Sequence, residues 1–179
     1  TLDWKIRLPE AYLKLLAVPD NGSKDFSRYY FSYDYGPIHF TVINTMMQEI
    51  DKFKEGLLEE QLEWVRKDLG ETKKPWKVVL LHKDVLQYRF TKNMERKEGF
   101  SEIGRLLMPI FDEFKVDVVF SAHLHTYRNR GHIRNFERDS KGPLYIITGV
   151  AGDVRYPGLW IDHSFDEYVA PQPEKDNFL

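Results

Sequence analysis

The chain has 179 residues, 42% of them hydrophobic and 30% charged, with a formal net charge of −2. That is the balance of a single domain with a real core, and it excludes a global field that would recruit nucleic acid or an anionic membrane. No stretch approaches the ~20 apolar residues of a membrane span. The absence of cysteine excludes disulfides, thiolate metal sites and cysteine nucleophiles, leaving nitrogen and oxygen as metal ligands.

The chain opens Thr1-Leu2-Asp3-Trp4, with no initiator methionine and no leader pattern, which reads as a chain processed or cut from a longer one. Leu8 to Asp25 is mixed and contains the loop signal Pro19-Asp20-Asn21-Gly22-Ser23. Tyr29–Asp34 and Ile38–Ile43 are predicted strands joined as a hairpin through Tyr35-Gly36-Pro37. Leu58, Leu62, Val65 and Leu69 recur at helical spacing, and Gly70 follows, so a helix is predicted over Gly56–Leu69. Trp76–Leu81 is a short apolar strand that stops at His82.

Ile103, Leu106, Leu107, Ile110, Phe111 and Phe114 mark one face of a second helix over Gly99–Phe114, which Pro109 is expected to kink or split. Val116–Ser121 is a buried strand that runs into His123-Leu124-His125. Leu144–Thr148 is a further strand. From Trp160 onward no periodicity is visible, so residues 159–179 are expected to form an irregular tail on a domain spanning 1–158.

The central order is strand–helix–strand–helix–strand. Such crossovers imply parallel strands, whose C-terminal ends share the sheet edge where ligands bind in open α/β folds. Two histidines at i and i+2 on extended backbone point to one side. Topology therefore gathers His82, His123 and His125 into one neighbourhood. On the residues alone, the His-x-His pair reads either as metal ligands or as surface imidazoles, and His82 as a capping or hydrogen-bonded histidine. A mononuclear three-histidine zinc hydrolase is also compatible with them.

Four stretches carry a resemblance to a known family. They are Tyr29 to Phe40, Gln61 to His82, Val116 to Tyr127 (with Ala122-His123-Leu124-His125) and Gly142 to Gly152. Together they resemble the calcineurin-like metallophosphoesterases, in particular the purple acid phosphatase branch. The resemblance implies an α/β fold, part of a four-layer α/β/β/α sandwich that lacks the N-terminal strands and the last C-terminal ones. It implies a binuclear centre of two divalent or trivalent ions (Fe, Zn or Mn), with His82 and His123 on one ion and His125 on the other. The reaction implied is hydrolysis of a phosphate ester by a metal-activated hydroxide, without a covalent enzyme intermediate.

The family's other ligand motifs lie N-terminal to the matched stretches, and the chain has no counterpart of them there, so the isolated chain is expected to be inactive. Ala122 stands where the family has glycine, which is expected to crowd the backbone. Tyr127 and Arg128 are assigned to substrate binding, arginine being suited to bidentate phosphate contacts. A packing role fits Tyr127 equally well, and Arg130 reads as part of a solvated basic loop. Arg89, Lys92, Arg96 and Lys97 are the candidate cations of segment 83–97.

His39 reads as a satisfied histidine of the strand, His132 and His163 as surface residues, and Asp84 as an exposed loop charge. A non-catalytic metal-binding or assembly module is the alternative function. Partners expected are a phosphate ester, no nucleic acid and no membrane. The resemblance points to an extracytoplasmic site. Exposed strand edges point to self-association.

Overall fold

A computed structural model of the chain describes residues 10–23, 28–52, 54–86, 99–149 and 162–171. Its helices are α1 (Glu10–Leu15), α2 (Met47–Ile50), α3 (Leu57–Glu71) and α4 (Glu102–Glu113). The strands are β1 (Phe31–Tyr35), β2 (Ile38–Ile43), β3 (Trp76–Leu81), β4 (Val118–Ser121), β5 (Tyr127–Arg134), β6 (Glu137–Arg138), β7 (Leu144–Thr148) and β8 (Tyr168–Val169). They form one mixed sheet in the order β1-β2-β3-β4-β7-β5-β6, with β8 added alongside β5. From β2 through β3 and β4 to β7 the pairing is parallel. The hairpin strand β1 and the return strand β5 pair antiparallel.

Helices α3 and α4 are the crossovers β2–β3 and β3–β4. Right-handed crossovers that advance in one direction across a sheet deposit their helices on one face. There Val65 and Leu69 of α3 and Ile103, Leu107, Met108, Ile110 and Phe111 of α4 pack against Ile43, Val79, Leu81, Val119 and Tyr145 of the sheet. The buried stripe of α3 is Leu57, Gln61, Val65 and Leu69, rather than one drawn through Leu58 and Leu62. Gln61 is admitted because its amide exchanges two hydrogen bonds with the Asn44 backbone, at 2.9 and 3.0 Å.

The other face of the sheet is also apolar. Its β1–β3 rows are Tyr35–Ile38–Trp76 and Tyr33–Phe40–Val78. Tyr33 stacks on Phe40 with ring centroids 5.0 Å apart, and Tyr33, Tyr35 and Trp76 are exposed.

Four expectations are refined. Pro109 does not split its helix, because α4 runs unbroken from Glu102 to Glu113. Only the Arg105 carbonyl forgoes its amide donor, and five buried apolar side chains hold the turns together. The helix begins after Ser101, whose hydroxyl accepts from the Gly104 amide at 3.0 Å, and not at Gly99. Arg130, read as part of a solvated basic loop, lies in strand β5, and the stretch read as irregular tail contributes β8.

A buried polar knot fastens α3 to the β1–β2 hairpin. His39 lies between Asp34 (Nδ1···Oδ1 2.8 Å) and Asp68 (Nε2···Oδ2 2.9 Å). Asp68 also accepts from Ser32 Oγ at 2.5 Å and Thr41 Oγ1 at 2.8 Å. The hydrogen bond to Asp68 leads the causes that raise the His39 pKa above its usual 6.5, with Asp34 adding to it and burial opposing. A raised histidine pKa stabilises the fold fully below the unfolded value, and that stabilisation is lost as pH rises through the folded value. Urea unfolding at pH 6 and pH 9 should therefore show the wild type losing stability relative to a His39→Gln variant. Equal pH dependence in the two proteins would contradict the charged-knot assignment.

Candidate functional site

Strands β3 and β4 end side by side. Leu80 pairs with Phe120, and two steps further on the Ala122 amide donates to the His82 carbonyl at 3.0 Å. Ala122 keeps ordinary backbone, and the left-handed residue is the next one, His123, at φ +64°. Tight turns follow, with the Leu124 amide on the Ala122 carbonyl (2.7 Å) and the Thr126 amide on the Leu124 carbonyl (2.5 Å). The end of β7 passes directly beneath. A side chain at Gly149 would strike the Leu124 carbonyl, so glycine is required for this approach.

This geometry brings two of the three sequence-predicted histidines together. Nδ1 of His123 lies 3.2 Å from Nε2 of His82. The rings meet edge-on at 79°, with centroids 5.1 Å apart. Desolvation lowers both pKa values, and the positive charges of Lys83 and His125 push the same way. Both effects disfavour the protonated imidazoles and favour the forms that carry a lone pair.

Two ligand nitrogens each ~2.0–2.1 Å from a tetrahedral ion stand about 3.3 Å apart. The observed 3.2 Å separation fits a two-nitrogen seat for one ion. Among the described residues no group of three or more histidine, aspartate or glutamate side chains converges on one point as a cage. The fit is to part of a centre, with His125 next to the pair.

The remaining predicted residues are distributed differently. Tyr127 opens β5, half-buried, with its ring 6.1 Å from that of Tyr168. Arg128 is a strand residue rather than a loop residue and is buried. Its Nη1 donates to Asp166 at 2.8 Å and to Asp162 at 3.3 Å, so its charge is already answered within the protein. Arg130 is not solvated: it is 1% exposed and paired with Asp84 (2.8 Å) and Asp166.

Asp84, read as an exposed charge, is likewise 1% exposed, because Arg130 and Ser121 Oγ (3.3 Å) satisfy its carboxylate. His163, read as a surface residue, is buried, with Nε2 against the Gly99 backbone at 3.1 Å and Nδ1 accepting from the Phe165 amide. His132 is half-buried against the Gly142 carbonyl at 2.8 Å, beside the start of β7. Arg89, Lys92, Arg96 and Lys97 lie outside the described residues. Lys83 sits next to His82 and pairs with Glu49.

Residues 3–127 match the family model of the calcineurin-like phosphoesterases. The chain is 30% identical over 167 residues to purple acid phosphatase 15 of Arabidopsis thaliana, a match covering 92% of this chain and 29% of that protein. Purple acid phosphatase 23 of the same plant is 29% identical over 148 residues, covering 81% and 30%. Among solved structures, purple acid phosphatase PPD1 from yellow lupin (Lupinus luteus) seeds superposes with a TM-score of 0.59 at 18% identity, covering 87% of this chain and 28% of that one. The chain thus spans under a third of the length of these relatives.

If the two facing imidazoles seat an ion, His123→Ala should weaken Zn²⁺ binding by more than ~10-fold in a competition titration. His132→Ala, at a distant histidine, should leave it unchanged. Equal effects of the two substitutions would remove the pair from consideration.

Proposed function

The chain belongs to the calcineurin-like phosphoesterase family, and from that premise we propose that it supplies the histidine side of the centre of a metal-dependent phosphoesterase. The observation that carries this reading is the 3.2 Å contact between His82 and His123 where two parallel strands end. In this reading His82 and His123 hold one ion, and His125 faces a second of Fe, Zn or Mn type. When bound, such ions supply Lewis-acid activation of water and neutralise the charge on a phosphate ester.

The chain's own residues prepare the site. Desolvation disfavours the protonated forms of His82 and His123, the buried Leu124 anchors the turn between His123 and His125, and Tyr127 borders the edge where an ester would lie. Arg128 is better placed as a support than as a phosphate clamp, since two carboxylates hold its guanidinium. The isolated chain is inactive in this reading, because the described residues bring too few ligands to one point. An extracytoplasmic site of action goes with it, and no described helix is long and apolar enough to cross a membrane.

The test is turnover of a chromogenic phosphomonoester by a parent protein that contains this chain, loaded with Fe, Zn or Mn. Hydrolysis should fall at least ~100-fold with His123→Ala, equivalent to about 2.7 kcal/mol of barrier. The 179-residue chain alone should give no turnover above the metal blank and should bind fewer than two ions. A parent inactive on monoesters and diesters alike would refute the reading.

The second reading, an assembly module, is favoured by the exposed aromatic row of Tyr33, Tyr35 and Trp76 beside edge strand β1. Sedimentation of the chain should then show dimers or larger species. A clean monomer at high concentration would count against it.

A further inference from the structure

Three strand ends carry the three histidines, and one buried chain of polar groups ties all three together. Asp84, two residues after His82, accepts from Ser121 Oγ at 3.3 Å, and Ser121 is two residues before His123. The other oxygen of Asp84 takes Arg130 Nη2 at 2.8 Å, and Arg130 lies on β5, five residues after His125. Nη1 of Arg130 pairs with Asp166, which also receives Arg128 and the His163 amide, both at 2.8 Å. The Asp84 carbonyl accepts from Ser101 Oγ at 3.0 Å, joining the same point to the cap of α4. The side chains of Arg128, Arg130, Asp84 and Asp166 are all buried, and their charges cancel.

A buried ion pair contributes little net stability compared with apolar packing, and its best-attested use is to fix one arrangement among several. Here the arrangement it fixes is the spacing of the loops that present the imidazoles. We propose that the Asp84–Arg130 pair, with Ser121, is the positioning element of the histidine cluster, a role that rests on the metal-site reading of His82, His123 and His125. None of the three touches an imidazole in the contacts above. They act by holding the exits of β3 and β4 in register with β5, as residues behind metal ligands orient them elsewhere.

The experiment uses the 179-residue chain with Co²⁺ as the probe. Asp84→Asn weakens the node, while Ser121→Ala removes a single hydroxyl link and leaves the ion pair and fold in place. Leu107→Ala is the control, since it damages the core without touching the network. Co²⁺ affinity, read from visible absorption, should fall by ~10–100-fold in Asp84→Asn and by a smaller factor in Ser121→Ala. It should be unchanged in Leu107→Ala despite a lower Tm.

In the metal-free protein at fixed pH, imidazole nitrogen NMR should show His82 and His123 each locked in one tautomer in the wild type and in Leu107→Ala. Both network variants should show averaged tautomers. Network variants that track Leu107→Ala in affinity and spectra at matched Tm would overturn the proposal. Failure of the wild type to bind Co²⁺ would sink the metal reading, and the imidazole spectra would then decide the positioning role by themselves.

Discussion

The site depends on the parallel register of β3 with β4. Because Leu80 faces Phe120, the two strands run out together and His82 comes to lie against Ala122. A slip of one residue would turn every side chain of β4 to the opposite face. Val119, now buried among α3 and α4, would face outward, and the turn carrying His123 would move off His82. Burial of one face of the sheet under two helices therefore sets the distance between two imidazoles on its edge. The chemistry at the edge and the packing at the centre are one constraint.

Much of this was legible because apolar side chains announce themselves. Trp76–Leu81 and Leu144–Thr148 are found in the structure with the bounds their composition suggests, and the Tyr35-Gly36-Pro37 turn closes the expected hairpin. The helix–strand alternation was enough to place His82 and His123 on one edge. β5 was not legible, since two of its buried positions are Arg128 and Arg130, which in isolation describe a solvated loop. Their burial is licensed by partners 34 to 46 residues away in sequence, a relation no local pattern contains. A usable signal was present: two arginines at i and i+2 share a strand face, and Asp162 and Asp166 lie downstream to answer them. Asp84 and His163 were misjudged for the same reason, as the Asp84 carboxylate and His163 Nε2 find their partners 37 to 64 residues away.

Two polar clusters are built into the sheet, and they differ in kind. The one around His39 joins β1, β2 and α3, and its imidazole is held between two carboxylates. The one around Arg130 joins the exits of β3 and β4 and the body of β5 to the segment 162–171, and balances two guanidinium groups with two buried carboxylates. The first fastens the hairpin to a helix. The second lies directly behind the histidine turn and couples its placement to residues far along the chain.

The left-handed backbone at His123 has a cost that falls on any search through sequence space. At φ +64° the backbone itself favours glycine or asparagine. A library selected for thermal stability alone would drift at position 123 toward those residues, and each step would relieve strain while discarding an imidazole. On the proposed metal reading, histidine there marks a position where selection for a ligand has outweighed selection for a relaxed chain.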